Sequence, residues 1–379
     1  MTKMPDKHAL LSSSSAHRWL NCQPSARLCE AIEDTPSDYA IEGTDAHSLC
    51  EYKLKKALDM ECTDPTENLT YYNEEMDESA EGYKDLILEV LEEIKKDGCK
   101  DPIVLIEQKL DFSKWVPEGF GTGDCVIVAD KKLYVVDFKF GKGVMVSAHE
   151  NPQMMLYGLG ALELFDALYD IDKVHLIIYQ PRLSNVSEYE MSKEDLLKWA
   201  EEVLVPKAKL AYEGRGEFAC GEWCQFCKVR STCRKRAEAS LALAAFDFKK
   251  PPLLENSEIE EILPKLDQMT SWAEDIKAFA LGMALSGHKW KGWKIVEGRS
   301  IRKYKDEKLV ASTVASEGYD PFEKKLLGIT EMQKLLGKTK FEEILGGLVI
   351  KPQGKPALVK ESDKRPEFMP ATADLVDKE

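Results

Sequence analysis

Apolar residues between positions 79 and 96 recur at steps of three and four, which is the spacing of an amphipathic helix. Three later runs, at 103–109, 124–129 and 133–140, are short and rich in β-branched or aromatic residues, which predicts strands. Only residues 130–132 separate the last two runs. We therefore expect these two strands to pair as a β-hairpin.

Helical and strand patterns also alternate along the rest of the chain. A further strand is predicted at 174–180, and further helices are predicted around 18–20 and at 43–58, 151–168, 192–212 and 259–285. Helices that alternate with buried strands predict an α/β fold in which a mixed central β-sheet is flanked by helices. We divide the chain into a first domain at 1–240 that a cysteine cluster closes, a linker (KKPPLL, 249–254) and helix within 241–285, and a helical and mixed C-terminal accessory domain at 286–379. Aromatic residues among cations in the last domain are compatible with binding of nucleic acid or a partner protein.

Composition and charge restrict the classes of function. The 379 residues include 67 acidic and 52 basic side chains, and the formal net charge is −15. A strongly basic nucleic-acid coat is therefore excluded, whereas a local basic groove is not. No apolar run reaches the roughly 18 residues of a membrane span, and the first residues lack the pattern of a signal peptide. We expect a cytosolic protein without a membrane partner.

The predicted hairpin holds three charged side chains that are candidates for a catalytic site. Asp124 follows Gly121 and Gly123 at the start of one strand, and Asp137 and Lys139 end the next. Residues two apart in a strand share a face, and two converging carboxylates suit Mg²⁺. A nearby ammonium can help to neutralise a phosphate. Taken alone, a D-x-K at a strand end is more often a solvated ion pair.

Two helical segments carry side chains that suit the same chemistry. His47 lies four residues after Gly43, with Glu51 one turn later on the same face. Gln153 and Tyr157 are four residues apart and therefore adjacent on a helix. Each feature alone is more often ordinary helix packing.

The order of these elements resembles the RecB-like exonuclease branch of the PD-(D/E)xK nuclease superfamily, over roughly residues 12–236. That family's order is G-x-x-x-H, G-x-x-D, D-x-K and Q-x-x-x-Y, and it implies a restriction-endonuclease-like core. By this resemblance, the ligands of Mg²⁺ or Mn²⁺ are His47, Asp124, Asp137 and the carbonyl of Phe138. Lys139 positions the attacking water, Gln153 and Tyr157 steady the site and the DNA strand, and Glu107 is a further candidate for the metal environment.

The cysteines form two groups, six of them scattered and four clustered. Clustered thiols in a cytosolic chain are more often metal ligands than disulfides. Cys220, Cys224, Cys227 and Cys233 could hold a structural zinc ion, and four thiolates also hold iron–sulfur clusters. Some RecB-like nucleases carry a [4Fe–4S] cluster on one N-terminal Cys and a C-x2-C-x5-C triplet. That resemblance implies the ligands Cys22, Cys224, Cys227 and Cys233, and Cys220 keeps zinc as the alternative.

Basic residues surround the cysteine triplet. Four of them are predicted to bind DNA, namely Lys228, Arg230, Arg234 and Arg236, although a solvated surface that balances acidic charge is an equal alternative. The whole layout resembles a family found in bacteriophages and prophages. This likeness implies a DNA exonuclease in phage recombination or replication, in the host cytoplasm, beside a single-strand annealing or binding protein. The alternatives are a non-catalytic DNA-binding or assembly module and a zinc-stabilised nuclease, and the residues leave exonuclease and endonuclease action both open.

Overall fold

The computed structural model describes residues 9–33, 37–242, 254–296, 305–316, 321–322 and 326–350. The chain forms two compact units, residues 1–296 and 297–379. The first unit includes the whole sheet and the long helix that was assigned to the linker region, and the second unit begins shortly after the predicted boundary at 286. The linker predicted at 249–254 lies almost entirely outside the described residues.

Helices account for most of the described chain. In the first unit they are α1 (Ala16–Asn21), α2 (Ser25–Glu30), α3 (Asp38–Ala57), α4 (Glu74–Lys96), α5 (Pro152–Tyr169), α6 (Lys193–Trp199), α7 (Val205–Glu213), α8 (Arg234–Leu241) and α9 (Asn256–Leu285). In the second unit they are α10 (Glu307–Ser316), α11 (Ile329–Leu336) and α12 (Lys338–Leu345). A π-helical segment, Ala200–Leu204, joins α6 to α7, so the helix predicted at 192–212 is continuous.

The prediction that Gly43 opens a helix was wrong. α3 begins five residues earlier, because the Ser37 hydroxyl accepts a hydrogen bond from the Ala40 backbone N–H (3.2 Å) and caps the helix there. Gly43 therefore lies inside α3. In the same way, Asn73 accepts from the Met76 N–H (3.0 Å) and starts α4 ahead of its apolar pattern. A capping side chain satisfies free N–H groups that periodicity does not reveal.

Five strands form one sheet in sequential order: β1 (Ile103–Asp111), β2 (Phe120–Ala129), β3 (Lys132–Phe138), β4 (Lys173–Gln180) and β5 (Asn185–Ser192). Neighbouring strands are antiparallel except β3 and β4, which are parallel and joined through α5. The mixed α/β fold and the β2–β3 hairpin are confirmed. The edge strand β5 was not predicted, since only three of its eight residues are apolar and three others are Ser or Asn.

The sheet is buried on both faces. Val126 and Val135 pack on one side with α5 and α6, and Ile127 and Val136 pack on the other side with α3 and α4. This follows from the period of two in a strand. Both faces of β2 and β3 are therefore apolar, and polar side chains collect where these strands end between the two layers of helices.

Candidate metal centre and cysteine cavity

Asp124 and Asp137 lie opposite each other where the pairing of β2 with β3 stops. The prediction that Asp124 begins its strand was wrong, because β2 starts at Phe120 and pairs with β1 through Gly121 and Gly123. The last paired residues before them are Cys125 and Val136, so the antiparallel register places the two carboxylates side by side. Asp124 Oδ2 accepts a hydrogen bond from the Phe138 N–H (2.7 Å), and this contact holds the end of the hairpin. The predicted convergence of the two carboxylates is therefore present.

Asp137 is the most enclosed of these groups, with 2% of its surface exposed. Its Oδ1 accepts a hydrogen bond from Gln153 Nε2 (3.3 Å). Its Oδ2 forms an ion pair with Lys139 Nζ at 2.8 Å. Burial, together with the negative charge of Asp124, raises the pKa of Asp137 despite the opposing effect of Lys139. Two neighbouring buried carboxylates repel each other, and a divalent cation relieves that repulsion.

His47 reaches this pair from α3, in the opposite layer of helices. Its Nδ1 lies 3.2 Å from Asp124 Oδ1, and its ring packs edge-on against Phe138 at 5.4 Å between centroids. Burial lowers the pKa of His47, but the charge of Asp124 outweighs burial and raises that pKa to about 9. The same contact keeps the pKa of Asp124 below its usual value although burial opposes this. A proton and a divalent cation would compete for the same ring nitrogen.

Glu107 completes a row of three carboxylates across β1, β2 and β3. The β1–β2 ladder has Ile106 opposite Cys125 and Gln108 opposite Gly123, so Glu107 stands beside Asp124 without being paired in that ladder. Its backbone is left-handed, with φ of 51°. His47, Glu107 and Asp124 each offer a ligand atom, and these atoms lie within 4.8 Å of one another. Asp137, which was predicted as a ligand beside His47 and Asp124, is not in this group, because its carboxylate is turned to Lys139 and Gln153. Burial, and then the charge of Asp124, raises the pKa of Glu107 to about 7. One imidazole and several carboxylates fit a divalent cation such as Mg²⁺ or Mn²⁺.

Lys139 is held by α5. Its ammonium donates to Gln153 Oε1 (3.1 Å), and Gln153 Nε2 donates to the Tyr157 hydroxyl (3.2 Å). Burial lowers the pKa of Lys139, but the neighbouring Asp137 carboxylate outweighs burial and raises it, so the lysine is charged. Gln153 and Tyr157 are adjacent, as predicted, and Gln153 contacts both members of the D-x-K pair.

The glycines of the two motifs differ in their surroundings. A Cβ on Gly121 would lie 2.8 Å from Ser13 Oγ and 2.8 Å from a ring carbon of Tyr157. A Cβ on Gly43 would have no atom within 4 Å. Glu51 is also outside the centre, because its carboxylate forms an ion pair with Lys55. Gly121 thus has a packing role beside Tyr157, a contact with Ser13 that sequence reasoning missed.

The predicted cluster ligands surround a single cavity. Cys22, Cys224, Cys227 and Cys233 all line it. The buried guanidinium groups of Arg18 and Arg236 line it too. Arg18 donates to the carbonyl (2.8 Å) and hydroxyl (2.9 Å) of Ser25, which are both neutral. A cavity with four thiols and two buried cations fits an anionic thiolate-bound cluster.

Cys29 is a fifth thiol at this place, and sequence reasoning treated it as an ordinary buried residue. Its Sγ lies 3.7 Å from the Sγ of Cys227, and this contact lowers the pKa of Cys29 to about 6. Cys220 instead contacts Cys224, which lowers the pKa of Cys224 to about 6. Cys220 does not line the cavity.

The spacing of the thiols bears on the choice between zinc and a cluster. Tetrahedral zinc with bonds of about 2.3 Å brings its four sulfurs to about 3.8 Å from one another. Within residues that the structure describes, no three cysteine sulfurs lie within 4.8 Å of one another. Two pairs of thiols are nevertheless in contact, Cys29 with Cys227 and Cys220 with Cys224, so the spacing does not distinguish a zinc ion from a polynuclear cluster.

The four residues predicted to bind DNA occupy different surroundings. Arg236 is 4% exposed and pairs with Asp275 of α9, and Arg230 Nε donates to the same carboxylate (2.8 Å). These two guanidinium groups therefore join α8 and the preceding loop to α9. Lys228 Nζ donates to the Ile32 carbonyl (2.9 Å), and Arg234 is exposed. Arg236 in particular is too enclosed to reach a phosphate, so its predicted role as a DNA contact does not fit its position.

Comparisons with known proteins concern the family and the fold. In the described part of the chain, none of the helices combines the length and apolar character of a membrane span. A solved structure titled "Crystal structure of SSO0001" is similar over 49% of this chain and 94% of that chain, at 16% identity and a TM-score of 0.22, a similarity too low to support any argument. The family model "Protein of unknown function (DUF2800)" matches residues 8–366. Because this match covers nearly the whole sequence, the chain belongs to the DUF2800 family.

Proposed function

We propose that the protein is a Mg²⁺- or Mn²⁺-dependent DNA exonuclease with a RecB-like core and a stabilising [4Fe–4S] cluster. One observation carries the proposal. His47, Glu107 and Asp124 offer ligand atoms within 4.8 Å of one another, and the buried Asp137, in an ion pair with Lys139 at 2.8 Å, stands opposite Asp124 on the neighbouring strand. A binding module needs neither this group of ligand atoms nor the buried pair of Asp137 and Lys139.

The metal ligands proposed are His47, one oxygen each of Asp124 and Asp137, and the carbonyl of Phe138. Glu107 adds a third carboxylate, on the side of the site away from Lys139. When bound, the divalent cation would act as a Lewis acid on the phosphate and make its bound water more acidic. The protein contributes a buried, pre-arranged set of oxygens whose mutual repulsion a cation relieves.

Lys139 is placed to act on the phosphodiester itself. Its ammonium is charged, lies beside Asp137 and has its direction set by Gln153. From this position it can orient the attacking water and offset negative charge that develops on the phosphate. Gln153 is a positioning residue, because it bonds both Lys139 and Asp137 and is itself bonded to Tyr157.

The cysteine cavity supports the proposed [4Fe–4S] cluster. A cluster on Cys22, Cys224, Cys227 and Cys233 would tie the beginning of the unit to its end, across roughly 200 residues of intervening chain. Protein contacts already join these segments, since Arg27 Nε donates to the Tyr212 carbonyl (2.7 Å). Thiolates would also supply the negative charge that the buried Arg18 lacks among its hydrogen-bond partners.

DNA is proposed as the substrate from the resemblance to RecB-like nucleases and from the chemistry of the site. With a net charge of −15, the protein would approach DNA through local cations and the bound metal. A role in phage recombination or replication, beside a single-strand annealing or binding protein in the host cytoplasm, belongs to the same proposal.

The test is digestion of end-labelled linear DNA and closed circular DNA, each with Mg²⁺ and with Mn²⁺. We expect the linear DNA to be degraded and the circle to survive. Lys139→Ala should abolish degradation, whereas Lys131→Ala, which removes an exposed lysine at the other end of the same hairpin, should not. The proposal is refuted if the single variants Lys139→Ala and Asp137→Ala both retain full activity. Tight DNA binding without cleavage in either metal would favour the binding module.

A further inference from the structure

Two cysteines from distant parts of the chain are in contact at the cysteine cavity. Cys29 Sγ, on α2, lies 3.7 Å from the Sγ of Cys227, in the loop before α8. Both thiols are free and buried, with 4% and 7% of the residue exposed. A disulfide bond is about 2 Å long, so the two sulfur atoms have to approach each other by less than about 2 Å to form one.

Hydrogen bonds next to this contact hold the two segments in place. Lys228 Nζ, one residue after Cys227, donates to the carbonyl of Ile32 (2.9 Å), three residues after Cys29. The Cys227 N–H donates to the Cys224 carbonyl (3.0 Å), which fixes the backbone of the loop. The two thiols therefore belong to segments that are bonded to each other beside the contact.

The two members of this pair differ in their relation to the proposed cluster. Cys227 lines the cavity and is a proposed ligand, whereas Cys29 is outside the proposed ligand set. A bound cluster engages the sulfur of Cys227 and keeps it from reacting with Cys29. Loss of the cluster returns a thiol to Cys227, with a second thiol in contact. In cytosolic proteins such pairs are kept reduced, and their disulfides are usually transient or redox-sensing.

The cavity gives a small oxidant a route to Cys227. Leu28 and Phe218 line the cavity and are 41% and 47% exposed, so its wall extends to the protein surface. Hydrogen peroxide is close to water in size, and it oxidises accessible thiolates to sulfenic acids. A sulfenic acid condenses with a neighbouring thiol to a disulfide. Within this site, Cys29 is the thiol that contacts Cys227.

We propose that Cys29 and Cys227 are a peroxide-reactive modification site that forms a disulfide when the cluster is lost. One thiolate attacks hydrogen peroxide, so that an S–O bond forms, the O–O bond breaks and hydroxide leaves. The sulfur of the other cysteine then displaces the sulfenic oxygen as water and forms the S–S bond. In sum, two thiols and one hydrogen peroxide give one disulfide and two water molecules, and the two electrons lost by sulfur reduce the peroxide.

The disulfide protects the cluster site while it is empty. A sulfenic acid that finds no thiol is oxidised further to sulfinic and sulfonic acids, which thiols do not reduce. The disulfide is reduced by thiols, so Cys227 becomes available for a new cluster. It also keeps α2 joined to a loop 198 residues away after the cluster is gone. The protective role rests on the proposed function, in which Cys227 is a ligand, whereas the reaction of the two thiols does not.

The test treats anaerobically purified full-length protein with hydrogen peroxide and blocks the remaining thiols by alkylation. Peptide mapping by mass spectrometry should find Cys29 joined to Cys227, in an amount that rises as iron is released. After reduction and addition of iron and sulfide, wild type should regain most of its visible absorbance. Cys29→Ala should hold normal iron before peroxide but regain at least about twofold less absorbance, because its Cys227 is oxidised irreversibly. Cys99→Ala, at a buried cysteine among α3 and α4, is the matched control and should recover like wild type.

Several results would overturn the proposed pair. These are the absence of the Cys29–Cys227 peptide once iron is released, a disulfide between Cys220 and Cys224 in its place, and equal recovery of wild type and Cys29→Ala. Low iron before peroxide in a Cys29→Ala protein of normal circular dichroism would show that Cys29 is itself a ligand, which also contradicts the proposal. If wild type is purified without iron, the cluster proposal fails, and peroxide treatment of that protein still decides whether the disulfide forms.

Discussion

The metal centre and the cysteine cavity draw their residues from different distances along the chain. Asp124, Asp137 and Lys139 lie on two strands joined by a tight turn, and the register of that hairpin places them together. The cavity instead joins Cys22, near the start of the unit, to a triplet about 200 residues later. The strand residues of the candidate metal centre follow from local pairing, whereas His47 and the cysteine cavity depend on long-range closure.

The two sites also differ in how their buried charges are balanced. At the metal centre, His47 and Lys139 already offset the carboxylates through contacts of 3.2 and 2.8 Å. In the cavity, Arg18 donates hydrogen bonds to the neutral carbonyl and hydroxyl groups of Ser25, and it lines the same space as the thiols. The comparison teaches that the hairpin should keep its shape without a metal, whereas the cavity should depend on thiolate charge and a bound cluster for stability.

The largest expected effect separates chemistry from folding at the metal centre. Asp137→Asn keeps the size of the side chain but removes a charge needed for the metal, so we expect cleavage to fall by at least about 10³-fold. The free energy of unfolding should fall by no more than about 1–3 kcal/mol, because relief of the repulsion between Asp137 and Asp124 partly offsets the ion pair lost to Lys139. Rates on linear DNA and urea unfolding measure the two quantities. A large loss of stability with cleavage retained would show that Asp137 is structural.

In the cysteine cavity, we expect a single substitution to remove the cluster and to lower the stability of the fold. Cys224→Ser should abolish the visible absorbance and bound iron of anaerobically purified protein. It should lower the free energy of unfolding by about 3 kcal/mol, since buried Arg18 and Arg236 lose an anionic neighbour. Cys62→Ser, at a half-buried cysteine outside this cavity, is the control and should retain both iron and stability. Colourless wild-type protein that contains zinc would refute the cluster and favour a Cys220 site.

Adding Mn²⁺ tests the proposed metal ligands through the free energy of unfolding. Mn²⁺ at 100 times its dissociation constant should raise the free energy of unfolding by about 2.7 kcal/mol through binding to the native state. In His47→Ala, the gain caused by Mn²⁺ should fall by more than half, because a ligand is missing. In Glu51→Ala the gain should be unchanged, since that carboxylate pairs with Lys55. Thermal unfolding with and without Mn²⁺ measures both, and equal losses in the two variants would contradict this ligand set.

The smallest effects distinguish the two motif glycines. Gly121→Ala would force a Cβ within 2.8 Å of Ser13 Oγ and the Tyr157 ring, and should lower the free energy of unfolding by about 1–3 kcal/mol. Gly43→Ala meets no atom within 4 Å inside α3, and should raise it by about 0.5–1 kcal/mol. Urea denaturation measures both. Destabilisation by Gly43→Ala would show that this position has a constraint beyond helix geometry.

Local patterns predicted the parts of the molecule that depend on neighbouring residues. The β2–β3 hairpin and the shared face of Asp137 and Lys139 follow from strand periodicity, and the contact between Gln153 and Tyr157 follows from helix spacing. The start of α3 was misjudged because the Ser37 cap competes with the Gly43 signal. The strand β5 was missed because an exposed edge strand carries few apolar residues.

Features that depend on distant residues were beyond such patterns. Cys29 looked like any buried thiol until the fold placed it 3.7 Å from Cys227, and Arg236 looked like a surface cation until α9 covered it with Asp275. The role of Gln180 could not be predicted, because its side chain is hydrogen-bonded to a loop that is distant in sequence, at residues 140–151. Spacing along the chain specifies which side chains share a face, since backbone geometry is local. Which faces then meet, and which charges become buried, depends on the packing of helices onto the sheet, and this packing is set by the whole chain at once.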